Sequence, residues 1–475
     1  MHSEPQPGAY RADPAIDALA SWLGDPVTAA DFPQGIIRFC NDRWAKAVGL
    51  DKLSEEQWAG HFGRFEGLPQ NLPTPLALKY HGHQFRVYNP EIGDGRGFLF
   101  AQLRDASERL LDLGTKGSGQ TPYSRTGDGR LTLKGAVREI LATEMLEALG
   151  VNTSKTFSVV ETGEKLWRDD EPSPTRSAVL VRLSHSHIRI GTFQRLLALE
   201  EREHMAQLVE YCLAQFPGPL PPEDAPGREE PAVILMHQVV ERMADLAASY
   251  MVAGFVHGVL NSDNMNITGE SFDYGPWRWL PHWEPGFTAA YFDHGGLYAF
   301  GRQPEAIHWN CGQLAVALRL LADSEPLVAA LERFGDLYMA AIARRWCWRL
   351  GVVSQGTARD TEMIAGCEKV MREQRYPPDK FFYHARGGPE YWQGDREDGL
   401  ETAIKGYKPA DNPESEHEFW NEGGPQSMLI DEVEAIWSAI DERDDWQPLE
   451  TKIQSLRRMG EAHGRAPAPQ GHAEP

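Results

Sequence analysis

Two oxygen-bearing side chains lie close together in a polar stretch near the middle of the chain. The stretch reads "HGVLNSDNMNITGESFDYG" (257–275), and it places Asn264 and Asp273 nine residues apart. The turn-forming pair Gly269 and Glu270 between them predicts a short hairpin that folds Asp273 back beside Asn264. An amide oxygen and a carboxylate oxygen that face one cavity suit a hard cation bound together with phosphate groups. A polar hairpin on the surface is the alternative interpretation.

The same stretch is similar to the catalytic loop of kinases, but one residue of that loop is missing. A kinase-like loop reads His-x-Asp, then four residues, then Asn, and later Asp-x-Gly. His257, Asn264 and "DYG" (273–275) match this pattern, whereas Val259 occupies the position of the catalytic Asp. Valine cannot accept a proton, so another residue would have to be the general base. His257 itself is interpreted as a structural histidine that hydrogen-bonds the loop backbone.

A phosphate-binding lysine and an acidic residue that orients it are the other parts of such a site. Lys116 follows an apolar strand in "RLLDLGTKG", and Glu139 lies on the helix predicted over 132–149. Glu144 is a rival on the apolar stripe of that helix, where an unpaired carboxylate would be costly. We favour Glu139, because the small residues on its helix face would allow close approach to a sheet. A surface ion pair is the alternative explanation of any single Lys–Glu pair.

Two identical glycine–aspartate turns flank this lysine. The tetrapeptide "GDGR" occurs at 93–96 and again at 127–130. Glycine at alternate positions allows backbone N–H groups to approach a phosphate closely, and the final arginine can bind phosphate oxygens with its planar fork. One such turn is most often only a turn, but two that flank a candidate phosphate-binding lysine indicate an anion site.

The composition indicates a soluble globular protein with an acidic surface. The 475-residue chain contains 41% hydrophobic and 24% charged residues and has a formal net charge of −22. This charge argues against nucleic acid or an anionic membrane as the main partner. Residues 175–195 nevertheless contain four arginines, two histidines and no acidic residue. The basic strip predicts a small anionic ligand, with a solvated face as the alternative.

Cysteine usage and the absence of targeting signals predict a cytoplasmic protein. The five cysteines are scattered without a C-x-x-C pair, which indicates reduced thiols rather than disulfides or a zinc site. The first thirty residues contain one arginine, several acidic residues and no long apolar run, so no signal peptide is expected. No stretch approaches the ~20 apolar residues of a membrane span.

The elements that must position these residues are a set of strands followed by helices. Strands are predicted in "GRGFLFAQLRD", in "RLLDLGTKG", and over 156–160 and 177–183. Helices are predicted at 41–65, 132–149, 192–215, 235–253, 310–323, 327–350, 358–373 and 428–441, with 376–427 irregular and with 1–14 and 460–475 loose. Along the chain, strands and one helix come first and mostly helices follow. This order of elements indicates an α+β, two-lobed body.

Several motifs in the same order resemble the selenoprotein O family, the pseudokinase-fold protein adenylyltransferases. They are "PLALKYHGHQF" (75–85), "GDGR" (93–96), "KGSGQTPYSRTGDGR" (116–130), "VREIL" (137–141), "RLSHSHIRIGTFQ" (182–194), "HGVLNSDNMNITGESFDYGP" (257–276) and "YAFGRQPEAIHWN" (298–310). The resemblance implies a two-lobed protein-kinase-like fold with N- and C-terminal, mainly helical, extensions. The implied domains are an extension at 1–84, an N-lobe with nucleotide-binding loops at 85–190, a C-lobe with the catalytic loop at 191–325, and a helical extension with a loose tail at 326–475.

The resemblance also implies an activity. Family members are similar to kinases but hold ATP end for end, and they transfer AMP to Ser, Thr or Tyr hydroxyls of proteins with release of pyrophosphate. The implied cofactors are ATP as substrate and Mg²⁺ or Mn²⁺. The implied partners are a nucleotide and protein substrates, without nucleic acid or membrane.

Residue by residue, the resemblance implies the following roles. Asp263 matches the catalytic base, and Asn264 and Asp273 match the magnesium ligands. Lys116 matches the phosphate-binding lysine, and Glu139 matches its helix partner. The nucleotide-binding set, which also includes Asp273, is matched by Gly93, Gly95, Arg96, Asp128, Gly129, Arg182 and Arg189.

The sequence departs from the family in two places and leaves two other functions open. Some members carry a redox-active cysteine or selenocysteine near the C-terminus, whereas no cysteine follows Cys367 here. The residues "SHSH" (184–187) are also less apolar than those that the family usually has at these positions. A kinase-like phosphotransferase acting on a small molecule or a protein would need Asp263 in place of the missing base. A non-catalytic pseudokinase that binds nucleotide would not need the complete set of metal and phosphate residues.

Overall fold

Antiparallel strands dominate the first part of the chain and helices dominate the rest, so the fold is α+β as predicted. The structure is a computed structural model, and it describes residues 6–169, 171–388, 399–410 and 416–467. The strands are β1 (Gly24–Pro26), β2 (Ile36–Cys40), β3 (Leu76–Leu78), β4 (Gly82–Gln84), β5 (Val87–Asn89), β6 (Leu99–Arg104), β7 (Leu110–Lys116), β8 (Leu131–Thr132), β9 (Lys155–Leu166), β10 (Thr175–Ser184), β11 (Phe255–Val256) and β12 (Arg278–Trp279).

Helices follow the strands and also flank them. The α-helices are α1 (Ala20–Leu23), α2 (Asp42–Ala47), α3 (Glu55–Gly63), α4 (Leu133–Ala148), α5 (Ile190–Ala198), α6 (Arg202–Gln215), α7 (Pro231–Ala253), α8 (Gln303–Leu318), α9 (Ser324–Glu332), α10 (Phe334–Leu350), α11 (Thr357–Glu373), α12 (Pro378–Ala385), α13 (Leu400–Ala403), α14 (Phe419–Glu422), α15 (Ile430–Arg443) and α16 (Gln447–His463). Among the helices of the described residues, none combines the length and the apolar character that crossing a membrane requires.

One antiparallel sheet carries the first half of the candidate site. Its strand order is β1-β3-β6-β7-β10-β9-β2, and β8 pairs with β10. Alternate residues of a strand point to opposite faces. On β10, Leu180 therefore packs into the main core, whereas Val179 and Val181 pack into an aromatic-rich cluster on the other side. The sheet is buried on both faces here, so β10 is buried along nearly its whole length and its central residues are apolar.

Helix α4 packs across β9 and β10. It begins at a cap in which the Thr132 hydroxyl accepts a hydrogen bond from the Gly135 N–H at 3.1 Å, an arrangement that satisfies a free amide of the first turn. Gly150 follows the helix with a φ of 69° and ends it. The predicted helix over 132–149 is therefore confirmed, and it holds Glu139 against the sheet.

Several predicted boundaries are wrong. The segments 41–65 and 192–215 each contain two helices, because residues 48–54 and 199–201 leave the helical path. The segment 376–427 contains short helices rather than only irregular chain, and residues 389–398 and 411–415 of it lie outside the described residues.

The helix α16 was not predicted, since part of it was assigned to a loose tail. It packs on α4, and Arg457 donates two hydrogen bonds to Glu144 at 2.8 and 3.0 Å. Arg43 contacts the same carboxylate at 3.2 Å. These partners compensate the buried charge of Glu144, which explains its place on the apolar stripe. Residues 1–5 and 468–475 of the predicted loose termini lie outside the described residues.

Candidate active site

A polar cavity of roughly 740 Å³ lies where the sheet meets the polar stretch 257–275. Its volume is within the range of small-molecule sites. The structure brings nearly all predicted site residues to its wall: Gly93, Gly95, Arg96, Lys116, Asp128, Gly129, Arg182, Arg189, Asp263, Asn264 and Asp273. Val259, which occupies the position of the kinase base, lines the same cavity.

Lys116 and Glu139 form a buried ion pair at the cavity wall. The Nζ atom of Lys116, at the end of β7, lies 2.5 Å from Oε2 of Glu139 on α4. Burial lowers the pKa of Lys116, although the charge of Glu139 opposes this shift. Glu139 Oε1 has no hydrogen-bond partner among the described residues. The pairing fixes the direction of the lysine, and the rival Glu144 lies elsewhere.

Two arginines hold the Asp273 carboxylate. Arg182 Nη1 lies 2.5 Å from Oδ1, and Arg189 Nη1 lies 2.7 Å from Oδ2. Burial raises the pKa of Asp273, but the charges of Arg182, Arg189 and Lys116 outweigh it and hold the pKa well below its ordinary value. Asp273 is therefore ionised at neutral pH. It also has a φ of 63°, an unusual conformation for a residue other than glycine.

A buried chain of hydrogen bonds links Arg182, His187 and Asp112, and it was not predicted. We call this chain the relay. The Nε–H of Arg182 donates to Nε2 of His187 at 3.2 Å, so the ring proton lies on Nδ1, which donates to Asp112 at 3.1 Å. Burial lowers the pKa of His187, consistent with a neutral ring. Gly114 makes room for the ring, because a β-carbon there would lie 2.1 Å from Nε2. The relay sets the orientation of Arg182 and gives the departure "SHSH" a structural role.

Asp263 lies on a short 3₁₀ turn, Ser262–Asn264, at the cavity. Its side chain is buried, and Oδ1 has no hydrogen-bond partner among the described residues. Burial raises the pKa of Asp263 to about 6, although the charge of Arg189 opposes this shift. A buried carboxylate with a free oxygen at a cavity wall can accept a proton from a bound hydroxyl.

Asn264 and Asp273 have the oxygens that a hard cation needs. The Asn264 Nδ2–H donates to the Val259 carbonyl at 3.0 Å, and the amide oxygen Oδ1 accepts no hydrogen bond from the described residues. A carboxylate has about four lone-pair positions, so Asp273 can accept further contacts beside its two arginines. Asp263, the residue before Asn264, adds an oxygen that has no hydrogen-bond partner among the described residues. These oxygens fit Mg²⁺ or Mn²⁺ chemically, although the described residues contain no cluster of three or more His, Cys, Asp or Glu side chains that could hold a metal ion.

The two "GDGR" turns lie at the cavity rim. Their glycines are needed in part for a reason other than phosphate binding. A β-carbon on Gly93 would lie 2.5 Å from the ring of Tyr123, and Gly129 has a φ of 68°. Glycine is thus required there by packing and by backbone conformation. Asp128 pairs with Arg168 at 2.8 Å. Arg96 is exposed and has no ion-pair partner among the described residues, which leaves it available to an anion.

The predicted hairpin between Asn264 and Asp273 is wrong. The segment turns where the Gly269 N–H donates to the Asn266 carbonyl at 2.9 Å, but its two arms do not pair with each other. Asn266 forms a bridge with Arg189 instead, and Ser271 forms one with Thr153. These partners are remote in sequence, so the local turn signal could not reveal them. The side chains of Asn264 and Asp273 nevertheless reach the same cavity.

His257 has the structural role predicted for it. Its Nε2–H donates to the Phe272 carbonyl at 3.0 Å, and Nδ1 accepts from the Val259 N–H at 3.4 Å. The neutral ring thus joins the chain before the Ser262–Asn264 turn to the residue before Asp273. Burial lowers the pKa of His257, which favours this neutral form.

Glu270, behind the cavity, gives a test of stability against pH. It is buried and accepts a hydrogen bond from the His185 N–H at 2.9 Å. Burial raises its pKa from 4.5 to about 7. Between these values the folded chain binds more protons than the unfolded chain, so the carboxyl lowers stability as pH rises. Glu270→Gln should therefore become more stable relative to the wild type between pH 5 and pH 8, by up to about 3 kcal/mol.

Denaturant unfolding at pH 5, 6, 7 and 8 measures this difference. The exposed residue Glu362 provides the matched control, since Glu362→Gln should follow the wild type at every pH. A constant difference between Glu270→Gln and the wild type over this range would show that Glu270 does not titrate as inferred.

Comparisons with known proteins agree with the chemistry of the cavity. Residues 9–457 match the family model described as protein adenylyltransferase SelO. A protein nucleotidyltransferase YdiU from Synechocystis sp. is 40% identical over 471 residues, which cover 94% of this chain and 97% of the relative. A protein of the same name from Gloeobacter violaceus is 41% identical over 466 residues, which cover 94% and 95%.

Proposed function

Because the chain belongs to the protein adenylyltransferase SelO family and is a nucleotidyltransferase, we propose that it transfers AMP from ATP to Ser, Thr or Tyr hydroxyls of other proteins. The observation that carries the proposal is Asp263, a buried carboxylate with an unpartnered oxygen beside a cavity lined by cations. Valine at position 259 supports it, because a base is absent where an ordinary kinase requires one.

The proposed reaction is a displacement at the α-phosphorus. The acceptor hydroxyl oxygen forms a bond to this phosphorus, and the bond from phosphorus to the oxygen that bridges to the β-phosphate breaks. Pyrophosphate leaves, and Asp263 accepts the hydroxyl proton. Lys116, Arg182 and Arg189 offset the charge of the triphosphate, since hydrogen bonds from cations to phosphate are strong. The proposal includes ATP bound end for end relative to kinases, as the resemblance to the family implies, so that the α-phosphate rather than the γ-phosphate would face Asp263.

A metal ion is part of the proposal. Asn264 and Asp273 would hold Mg²⁺ or Mn²⁺ through the oxygens described above. When bound, such an ion supplies positive charge that neutralises the phosphates. The chain's own contribution is to keep Asp273 ionised through Arg182 and Arg189, and to present the Asn264 oxygen by tying its Nδ2–H to Val259.

We also propose the two-lobed protein-kinase-like arrangement. Its N-lobe would comprise 85–190, where the sheet and α4 bring Lys116 and Glu139 together. Its C-lobe would comprise 191–325, which carries the catalytic turn and the long helix α7. The segments 1–84 and 326–475 would be the extensions. The position of the cavity between residues of 85–190 and of 191–325 supports this division.

The function is tested with ATP labelled separately at the α- and γ-phosphates. We expect label from the α position on a protein acceptor, together with release of pyrophosphate. Label from the γ position instead would identify a phosphotransferase. Nucleotide binding without any transfer or pyrophosphate would identify a non-catalytic pseudokinase.

Arg182 and Arg189 should contribute to nucleotide affinity. Replacing either residue with alanine should weaken ATP binding by ~1.5–3 kcal/mol, the range of hydrogen bonds to charged groups. The loss of one arginine should weaken ATP binding for a second reason as well. It leaves more of the negative charge of Asp273 facing the phosphates. Isothermal titration calorimetry with ATP measures the change.

Arg359 on α11 is the matched control, since it is largely exposed and its one ion pair among the described residues is with Glu362. Arg359→Ala should bind ATP as the wild type does. Unchanged affinity in both Arg182→Ala and Arg189→Ala would place these arginines outside the nucleotide site.

A further inference from the structure

Hydrogen bonds from two separate elements form a closed cycle around Ser262, the residue before Asp263. The His83 N–H on β4 donates to the Ser262 hydroxyl at 2.7 Å, and that hydroxyl donates to Gln194 Oε1 on α5 at 2.6 Å. The Gln194 amide returns to the His83 side chain, where Nε2 of the amide lies 2.7 Å from Nδ1 of the imidazole. We call these three bonds the Ser262 cycle. It ties the turn that carries Asp263 to two elements that are remote in sequence.

The direction of each bond in the Ser262 cycle follows from its donors and acceptors. A backbone N–H can only donate, so the Ser262 oxygen accepts from His83 and its own proton remains for Gln194. Because Gln194 Oε1 accepts that proton, the amide Nε2–H donates to Nδ1 of His83, and the imidazole proton lies on Nε2. The reverse orientation of the amide would leave the Ser262 proton without an acceptor in the cycle. One arrangement therefore satisfies all three groups.

The Ser262 cycle lies in the interior of the protein. Ser262 is fully buried, and Gln194 is 4% exposed. The His83 imidazole packs edge-on against Trp309 of α8, with 5.3 Å between the ring centroids. A buried polar group that loses its partner also loses free energy, since water cannot replace the bond. We therefore expect the cycle to hold the Ser262–Asn264 turn in one position.

The two elements that form the cycle also contact Asp263 itself. A β-carbon on Gly82, in β4, would lie 2.8 Å from the Asp263 Oδ1 atom. A β-carbon on Gly191, in α5, would lie 3.6 Å from the Asp263 Cα atom. The His81 N–H donates to the Gly191 carbonyl at 3.1 Å, which joins the start of β4 to the first turn of α5. The backbones of both elements thus pack against Asp263, and a shift of either would change its surroundings.

The position of the Asp263 carboxylate depends on the backbone that carries it. Its Oδ1 atom has no hydrogen-bond partner among the described residues, whereas two arginines hold the carboxylate of Asp273. The Ser262 cycle attaches the chain just before Asp263, and Arg189 donates to the Asp263 carbonyl at 2.8 Å. A general base must lie within hydrogen-bond reach of the proton that it accepts. These two attachments therefore determine where the proposed base lies.

We propose that Gln194 is a positioning residue for Asp263 and acts through the Ser262 cycle. This inference rests on the proposed function, because it assigns Asp263 as the base. Neither Gln194 nor Ser262 is among the described residues that line the cavity. Asn264 is held separately by its bond to Val259, and the proposed contacts to phosphate belong to other residues. The cycle should therefore affect the rate of transfer and leave nucleotide affinity unchanged.

Gln194→Met and Ser262→Ala test the proposal, since each breaks the cycle with a small change in side-chain volume. Labelling of the proteins of a desalted cell extract with α-labelled ATP, at increasing ATP concentrations, gives the maximum rate and the half-saturating concentration. Each variant should lower the maximum rate by ~10–10²-fold, the cost of a slightly misplaced reacting group. The half-saturating concentration and the calorimetric affinity for ATP should not change. Gln355→Met is the matched control, because Gln355 is exposed and lies outside the cavity.

Double variants separate a positioning role from a merely structural one. Gln194→Met added to Asp263→Ala should label as slowly as Asp263→Ala alone, since no carboxylate remains to be positioned. Gln194→Met combined with Ser262→Ala should be no slower than the slower single variant, because both changes break the same cycle. Residues that act as one unit are non-additive in this way, whereas independent effects on the fold would multiply.

The outcomes distinguish this inference from the proposed function. An unchanged rate in either Gln194→Met or Ser262→Ala, together with a loss in Asp263→Ala, overturns the positioning role and leaves the proposed function intact. Weaker ATP binding by Gln194→Met also overturns it, since Gln194 would then support the whole site. A further loss when Gln194→Met is added to Asp263→Ala overturns it as well. Normal labelling by Asp263→Ala, or none by the wild type, rejects the proposed function and this inference with it.

Discussion

Asp263→Ala should lose AMP transfer by ~10²–10⁴-fold, the usual contribution of a general base. Asp263 is buried at the cavity wall, and its Oδ1 atom has no hydrogen-bond partner among the described residues, so this carboxylate can accept the proton of an acceptor hydroxyl. ATP affinity should change little, since the proposed contacts to phosphate belong to Lys116, Arg182 and Arg189. Transfer from α-labelled ATP and calorimetric titration of ATP measure the two properties in the same protein.

Val259 provides the matched control for this prediction. Val259→Asp introduces a carboxylate where a kinase has its base, and with ATP bound end for end it should not rescue Asp263→Ala. Normal labelling by Asp263→Ala would show that Asp263 is not the base. If the double variant transfers the γ-phosphate to a hydroxyl, ATP binds in the ordinary kinase direction and the phosphotransferase interpretation replaces the proposed one.

Asp273→Ala should abolish transfer and also destabilise the fold. Two arginines that are themselves buried, Arg182 and Arg189, contact the Asp273 carboxylate, and its removal leaves Arg182 without a carboxylate partner among the described residues and Arg189 with Asp94 alone. Breaking a buried ion pair in this way costs about 3 kcal/mol or more. Transfer from α-labelled ATP measures activity, and denaturant unfolding measures stability.

Asp273→Asn separates the two effects of this change. The amide keeps the shape and one acceptor oxygen, so we expect a smaller loss of stability than with alanine, together with a similar loss of transfer because the negative charge is gone. Full activity of either variant, with or without Mg²⁺, would exclude Asp273 from the reaction. Unchanged stability of Asp273→Ala would show that the arginines do not depend on it.

The sequence predicted the site well where a residue's neighbours in the chain determine its position. Lys116 ends an apolar strand and Glu139 lies on a clear helix, so their meeting could be inferred before the 2.5 Å contact was seen. The choice of Glu139 over Glu144 rested on the small residues of the Glu139 helix face and on the cost of an unpaired carboxylate on the apolar stripe. That reasoning identified the correct partner of Lys116, although Glu144 is also buried and is paired by Arg43 and Arg457.

Features that depend on distant pairing could not be predicted. The relay from Asp112 through His187 to Arg182 depends on the register of β7 against β10, which places Ser184 opposite Asp112 and Arg182 opposite Gly114. A buried aspartate in the apolar strand "LLDLG" was the available signal. The hairpin over 264–273 was wrong for the same reason, because the true backbone partners of this segment belong to other elements.

The contact between α16 and α4 affects the order of events during synthesis. Arg457 lies 313 residues after Glu144, and translation at ~5–20 residues per second separates the two by roughly 15–60 s. Throughout that interval Arg43 is the one arginine of the two that can pair with the buried carboxylate of Glu144. The helix that carries Glu139 therefore gains the second of these two charge partners only after residue 457 has been synthesised.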